Sequence, residues 1–377
     1  MRHKVLFLTL RVFSATGGIE KVCRVAGKAL YEMGVQQDWK TAVFSMHGSK
    51  NDADLNSYFP QELFAGFNGK KIRFLLSALQ YGRRAEVILL SHINLLLIGW
   101  LVKLVNPSAK LIMLAHGIEV WDALPRWKRM MLKSCDRILP VSKFTRDKML
   151  AVHGLPAEKF QVLNNCLDPF LEKPLKPDRD PALLERYGLE PDQKILLTVA
   201  RLSDTELYKG YDRVLMALPA LTADRPSLKY MLVGSYGKRE KLRLDSLILT
   251  LGLQENVLFT GFVPDEELGS HFNLADIFVM PSEKEGFGIV FIEAMFYGKP
   301  VIAGNRDGSV DALRYGEMGL LVDPKNVEEI GAAIKKMLDD PAAYLPDAEK
   351  LQAFFGYSTY KKNLGAILEV TGKKHLN

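Results

Sequence analysis

Two glutamates eight positions apart, Glu285 and Glu293, lie in the stretch Met280-Pro281-Ser282-Glu283-Lys284-Glu285-Gly286-Phe287-Gly288-Ile289-Val290-Phe291-Ile292-Glu293-Ala294-Met295. Carboxylates accept hydrogen bonds, so they suit hydroxyl-bearing guests such as a sugar or a ribose. Gly286 and Gly288 let backbone N–H groups approach a ligand closely, and a helix opening there favours an anion at its N-terminus. Earlier in the chain, Arg201 and Lys209 flank a short polar segment. Two cations so placed can converge on one phosphate group, with arginine offering a bidentate fork. The chemistry these residue types suit is recognition of a phosphate-bearing, polyhydroxylated molecule.

The elements that must carry these residues are legible from pattern. Ile277-Phe278-Val279-Met280 is an unbroken apolar run ending at Pro281, which reads as a buried parallel strand. A helix is predicted from Gly286-Phe287-Gly288 through Tyr297. Gly298 stops it and Pro300 forbids its continuation. The strand Val301-Ile302-Ala303 follows at once. Glu285 then sits in the loop at a strand's C-terminal end and Glu293 in the early helix. In an open α/β sheet, ligands bind in that crevice. Lys194-Ile195-Leu196-Leu197-Thr198-Val199-Ala200 is a second strand leading to Arg201, and Lys209-Gly210-Tyr211-Asp212 leads a helix.

The first half keeps the same strand–helix rhythm. A strand over residues 4–9 runs into Thr16-Gly17-Gly18-Ile19-Glu20, and a helix with apolar positions at helical spacing extends from there to Gly34. The double glycine suits close approach by a phosphate or an acceptor and equally suits a plain tight turn. Further strands are predicted at 41–44, 87–90 and 110–115. The last ends in His116-Gly117, which sets a histidine at a strand's C-terminal edge. Ser142 is placed to cap the helix that follows it. Two segments combine basic and apolar residues: 69–84, with Lys70, Lys71, Arg73, Arg83 and Arg84, and 121–133, with Trp127, Lys128, Arg129, Met130 and Met131. Each fits a core-facing helix with solvated ends, and each fits a helix lying on anionic lipid. Prolines 169, 174, 177, 181 and 191 mark a stiff linker.

At 377 residues the chain exceeds one ordinary core and fits two domains. The expected fold is α/β, with two doubly wound, Rossmann-like domains. Residues 1–170 form the first domain, 171–193 the linker and 194–354 the second domain, with a terminal helical segment at 355–377. A net charge of +6 is mild. It suits an anionic ligand or membrane surface, and nucleic acid is not expected as a partner. The three cysteines, Cys23, Cys135 and Cys166, lack metal-ligand spacing and point to a reducing, cytoplasmic setting without disulfides. The apolar start at 5–10 is too short for a signal peptide and reads as a strand, while 87–105 is broken by polar residues and reads as strand plus helix rather than a membrane span.

Glu285 and Glu293, set in EGFGIVFIEAM and followed by GKPVIA, resemble the Glu-x7-Glu signature of retaining glycosyltransferases of group four, whose fold is GT-B. The resemblance is strong over 201–324 and weaker before it. It implies two domains facing across a cleft, with a nucleotide-diphosphate sugar held mainly by the second and a sugar or lipid-linked acceptor mainly by the first. It further implies that Arg201 and Lys209 clamp the donor diphosphate, Glu293 holds the ribose and Glu285 a sugar hydroxyl. Backbone N–H groups of the Gly286, Phe287, Gly288 and Ile289 segment would meet sugar and diphosphate, and Val263 the base. Gly17 and Gly18 resemble the family's first-loop glycines, and His116 its strand-end histidine, which approaches the sugar. No cofactor and no metal are expected, because protein cations take the metal's place. The resemblance further implies a part in polysaccharide or glycolipid synthesis, with peripheral contact at the inner face of the membrane left open. Same-face attack is favoured over double displacement, because Glu285's inferred place is not beneath the anomeric carbon. A non-catalytic nucleotide-sugar binding module and a sugar-nucleotide epimerase of the same fold are the alternatives.

Overall fold

The computed structural model describes residues 4–53, 57–172 and 179–372. The chain divides into two compact units, 1–169 with 355–377 and 170–354. The stretch with Pro174 and Pro177 lies outside the described residues.

In the first unit, six parallel strands form one sheet: β1 (Lys4–Thr9), β2 (Lys40–Ser45), β3 (Phe64–Gly66), β4 (Val87–Leu90), β5 (Lys110–Ala115) and β6 (Arg137–Pro140), in the order β3-β2-β1-β4-β5-β6. β4 is buried at every position. That is why it reads as a continuous apolar run rather than an alternating one: helices cover both faces of a parallel sheet. The chain reverses its direction of travel across the sheet between β1 and β4, so the loops leaving those strands part and open a crevice at their C-terminal ends.

The second unit repeats the plan with β7 (Ile195–Val199), β8 (Lys229–Val233), β9 (Val257–Gly261), β10 (Ile277–Met280), β11 (Val301–Gly304) and β12 (Leu320–Val322). Their order is β12-β11-β10-β7-β8-β9, all parallel. The reversal here falls between β7 and β10, which pair Ile277 with Leu196 and Phe278 with Leu197. The α/β, doubly wound class expected from the strand–helix rhythm is the class observed.

Several boundaries differ from expectation for identifiable reasons. The first helix, Gly18–Gln37, runs past Gly34 and ends where Asp38 turns left-handed and its N–H donates to the Gly34 carbonyl. Gly34 serves close packing instead: a Cβ there would lie 3.3 Å from the Trp39 carbonyl oxygen. Within the stretch read as linker, Pro181–Tyr187 is helical, with Asp180 accepting from the Ala182 N–H at its start. Proline at the first helical position is preorganised for a helix and loses no bond there, so the same residue that suggested a linker starts a helix. Ser142 caps the helix Lys143–His153 as expected, accepting from the Thr145 N–H at 3.0 Å. The helix Tyr357–Gly372 belongs to the first unit and packs on Gly18–Gln37, where Lys361 pairs with Glu32 at 2.8 Å. Cys23, Cys135 and Cys166 are all buried free thiols, and burial pushes Cys23 and Cys135 up to about 12.

Candidate active site

The loop after β10 carries Glu285, and three loops of the second unit are built to meet around it. The loop after β7 comes first. Gly210 has a φ of +78°, and a Cβ on it would lie 2.2 Å from the Pro281 carbonyl oxygen, so only glycine lets this turn approach the β10 loop. The Glu283 N–H donates to the Tyr208 carbonyl at 2.8 Å, stitching the two loops together. Lys209 then reaches Glu285, and their side chains form a largely buried ion pair, with 18% and 15% of each exposed. Burial works against charge on Lys209. The Glu285 carboxylate outweighs it and holds the ammonium above its ordinary pKa. The ammonium also lies 5.6 Å from the centre of the Tyr208 ring.

The loop after β11 closes the third side. Cβ atoms on Gly304 and Gly308 would each lie 2.0 Å from a backbone oxygen of the β10 loop, those of Ser282 and Gly286 respectively. The Gly308 N–H donates to the Glu285 carbonyl at 2.8 Å. Between these glycines Asp307 is fully buried. One of its oxygens accepts from the Ser282 hydroxyl and the Glu285 N–H, both at 2.7 Å. The other accepts from the Ser309 N–H at 2.9 Å and from the Ser309 hydroxyl. Burial raises this carboxyl to about 7 against the pull of those donors, and the charge of Glu285 adds to the rise. Asp307 therefore pins the backbone on which Glu285 rides. Asp307 was not singled out from sequence; the signal available was an aspartate followed by glycine in a loop after the strand that follows the Glu285 helix.

Gly288, with φ of +81°, starts the helix Ile289–Phe296. Phe287 is buried beside it, and Phe291 folds back so that a Cβ on Gly288 would lie 2.4 Å from its ring. The first-turn N–H groups of this helix point out of its N-terminal end beside the Lys209–Glu285 pair. Glu293 is buried on the same helix, with 4% exposure. Arg201, at the end of β7, is 69% exposed and pairs with Glu206. The two cations expected to share one phosphate thus each hold a carboxylate, Lys209 in the crevice and Arg201 at its edge. The loop holding Arg201 is fixed from behind: Tyr211 Oη donates to Glu240 at 2.6 Å and receives the Ser203 N–H at 3.2 Å. After β8 the close approach falls to Gly234, at φ +143°, where a Cβ would lie 1.9 Å from the Ala200 carbonyl oxygen. Gly237 instead precedes the helix Lys238–Leu251. Val263 follows β9 and is half-buried beside the exposed Phe262.

In the first unit, the crevice at β1 and β4 gathers a second set. Gly17 and Gly18 start the first helix and are exposed, with open space where a Gly18 Cβ would stand. His116 leaves the end of β5, with its backbone N–H bound to Glu119 at 2.6 Å. Its Nε2 lies 2.7 Å from the Ser91 carbonyl oxygen. A carbonyl only accepts, so Nε2 carries a proton, and Nδ1 is the nitrogen that can serve as the ring's acceptor. His92, at the end of β4, was not singled out from sequence. Its Nδ1 accepts from the Asn94 N–H at 3.0 Å, and burial holds its pKa low despite the nearby Glu119. Among the described residues, no group of three or more His, Cys, Asp or Glu is placed to hold a metal ion.

Two doubly wound parallel sheets with flanking helices are the α/β architecture of the GT-B class. Residues 180–361 match the family described as Glycosyl transferases group 1, and residues 16–169 match Glycosyltransferase Family 4. The chain belongs to glycosyltransferase family 4. It is 32% identical over 245 residues to the GDP-mannose-dependent alpha-(1-6)-phosphatidylinositol monomannoside mannosyltransferase of Mycolicibacterium smegmatis, a match spanning 62% of this chain and 62% of that relative. In fold it is similar to Anabaena HepE solved with UDP, with a TM-score of 0.78 and 19% identity over 97% of this chain and all of that one. A glycosyltransferase from Rickettsia africae superposes with a TM-score of 0.77 and 19% identity over 99% of both chains.

Proposed function

We propose that this chain moves a hexosyl unit from a nucleoside-diphosphate sugar to a sugar or lipid-linked acceptor, with retention of anomeric configuration and without a metal. The observation that carries this reading is the Lys209–Glu285 pair, held at the switch point by loops from three strands and set beside a helix N-terminus. A diphosphate needs cations and oriented N–H groups, and a sugar needs a fixed carboxylate. This crevice offers both within one cluster.

In the proposed step the bond from the anomeric carbon to the β-phosphate oxygen breaks. The acceptor oxygen forms its bond on the same face and passes its proton to the departing phosphate. Negative charge grows on the diphosphate, where Lys209, Arg201 and the first-turn N–H groups of Ile289–Phe296 stabilise it. Losing one such donor costs about 3 kcal/mol in comparable oxyanion sites. Glu285 would orient a sugar hydroxyl, Glu293 the ribose and Val263 the base. His116 would accept from a sugar hydroxyl through Nδ1, and Gly17 and Gly18 would border donor and acceptor. The Mycolicibacterium relative is GDP-mannose-dependent and HepE has been solved with UDP-glucose, so both bases belong in the test. We place the activity in cell-surface polysaccharide or glycolipid synthesis on the cytoplasmic side. Among the described residues no helix is long and apolar enough to cross a membrane.

The test is incubation of the purified chain with GDP-mannose, UDP-glucose and related donors, followed by NMR. Release of the nucleoside diphosphate with an α-configured product supports the reading. A β-configured product refutes retention, and donor binding without hydrolysis or transfer makes the chain a binding module.

A further inference from the structure

Arg201 and Lys209 ride on one short segment of the second unit, and its hydrogen bonds lead away from the crevice to a buried carboxylate on another helix. Ser203 is the first joint. Its carbonyl accepts from the Glu206 N–H at 2.8 Å, and the Glu206 carbonyl accepts from the Lys209 N–H at 3.0 Å. The Glu206 side chain pairs with Arg201. Both cations are thus tied to one turn, 203–206. Tyr211 holds that turn by both backbone groups of Ser203. Its Oη receives the Ser203 N–H at 3.2 Å, and its own proton is shared between the Ser203 carbonyl oxygen, 3.0 Å away, and Glu240, 2.6 Å away.

Glu240 lies in the first turn of the helix Lys238–Leu251 and is buried, with 2% exposure. A glutamate is almost never buried this far unless it is paired. Arg243, one turn on, supplies the pair through a fork, with Nε 2.9 Å from one carboxylate oxygen and Nη2 2.7 Å from the other. Burial works against the charge on Glu240; Arg243 and Tyr211 outweigh it and hold the carboxyl below its ordinary pKa. Replacing a buried ion pair by apolar packing is often neutral or stabilising, so stability alone is a weak reason for this one. What the pair supplies is orientation. A carboxylate gripped by a planar fork fixes the Tyr211 hydroxyl, and that hydroxyl fixes Ser203.

We propose that Glu240, gripped by Arg243, is a positioning residue for the donor diphosphate: through Tyr211 it sets, before the donor arrives, the turn that carries Arg201 and Lys209. The inference rests on the reading that these two cations meet the diphosphate. It adds that their placement is controlled from the helix after β8, because a loop ordered in advance does not have to be ordered by the ligand.

The experiment uses the full chain and compares UDP with UMP and GDP with GMP, since base and ribose are the same within each pair and only the second phosphate differs. Titration calorimetry of the wild type should show a diphosphate bound more tightly than its monophosphate. Tyr211→Phe keeps the ring and the Arg243–Glu240 fork and removes the hydroxyl alone, so it should fold, as circular dichroism melts will check. The cost of ordering the loosened turn then moves into the binding step. A hydrogen bond to a charged group is worth about tenfold or more in an equilibrium, so the advantage of the diphosphate should fall about tenfold while monophosphate affinity holds. Glu240→Gln should act in the same direction, because its amide no longer pairs with Arg243 as an ion. Amide hydrogen exchange over 201–210 should quicken in both variants. A folded Tyr211→Phe that keeps the wild-type advantage of the diphosphate, or loses affinity equally for both nucleotides, would overturn the positioning role and leave the clamp in place. A wild type that binds neither diphosphate more tightly than its monophosphate would remove the clamp itself, and this proposal with it.

Discussion

Replacing Asp307 by asparagine keeps the side chain's volume and exchanges one acceptor oxygen for an NH2 group. In the native site both oxygens face donors: the Ser282 hydroxyl and Glu285 N–H on one side, the Ser309 hydroxyl and N–H on the other. The hydroxyls can rotate to accept from the new amide, but the backbone N–H groups cannot. Whichever way the asparagine turns, one fixed N–H is left facing another donor. An unpaired buried donor costs about 1–3 kcal/mol, and removal of a poorly solvated charge at neutral pH offsets part of that. Because the Glu285 N–H is one of the two candidates, the larger effect should be on the position of Glu285, and misplacement by about 1 Å can cost about 100-fold in rate. Asp307→Asn should therefore lower kcat strongly while donor affinity, read by thermal shift, changes less. The pH dependence supplies a second readout. A carboxyl raised by folding to about 7 contributes stability at low pH that is lost as pH rises from about 4 through 7. The wild type should lose that increment across this window and Asp307→Asn should not. Unchanged kcat together with an unchanged pH profile would refute the assignment of Asp307 as the residue that pins the Glu285 loop.

Other outcomes follow from the same geometry. Lys209→Met strands the Glu285 carboxylate in a largely buried place; it should destabilise the second unit by about 3 kcal/mol and abolish the donor-induced thermal shift, both readable by differential scanning fluorimetry. Gly308→Ala would drive a Cβ into the Gly286 carbonyl oxygen, so activity should fall sharply, whereas Gly18→Ala meets open space and should leave stability within about 0.5 kcal/mol in chemical denaturation. His271 takes one proton by design: its Nδ1 lies 2.9 Å from the Glu267 carbonyl oxygen and its Nε2 lies 2.8 Å from the Tyr187 hydroxyl. Burial lowers its pKa, so stability present above about 6.5 is lost as pH falls, and Tyr187→Phe should soften that acid transition in circular dichroism melts. Chelation with EDTA should leave the transfer rate unchanged.

The alternation of unbroken apolar runs with helical spacing carried the fold class, because a strand buried on both faces has to be apolar throughout, as β4 and β10 are. Gly298 and Pro300 marked the end of Ile289–Phe296 through local backbone chemistry alone. The helix at Pro181–Tyr187 escaped notice because proline signals both linkers and helix starts, and only the flanking context separates them. Partner choice was not legible either. Nothing in the spacing says that Lys209 meets Glu285 while Arg201 turns to Glu206, since that depends on how far each loop travels across the sheet edge. Asp307 escaped for the same reason: its value lies in two serines and two backbone N–H groups brought together by strand order.

The central claim is that Lys209 and Glu285 close over an activated sugar donor. Its most direct measurement is a thermal-shift titration of the wild type and Lys209→Met with GDP-mannose and UDP-glucose, followed by detection of the released nucleoside diphosphate. A donor present at 100 times its Kd should stabilise the wild type by about 2.7 kcal/mol and be consumed when acceptor is added, with neither effect in the variant. A variant that binds and turns over the donor as the wild type does would contradict the account.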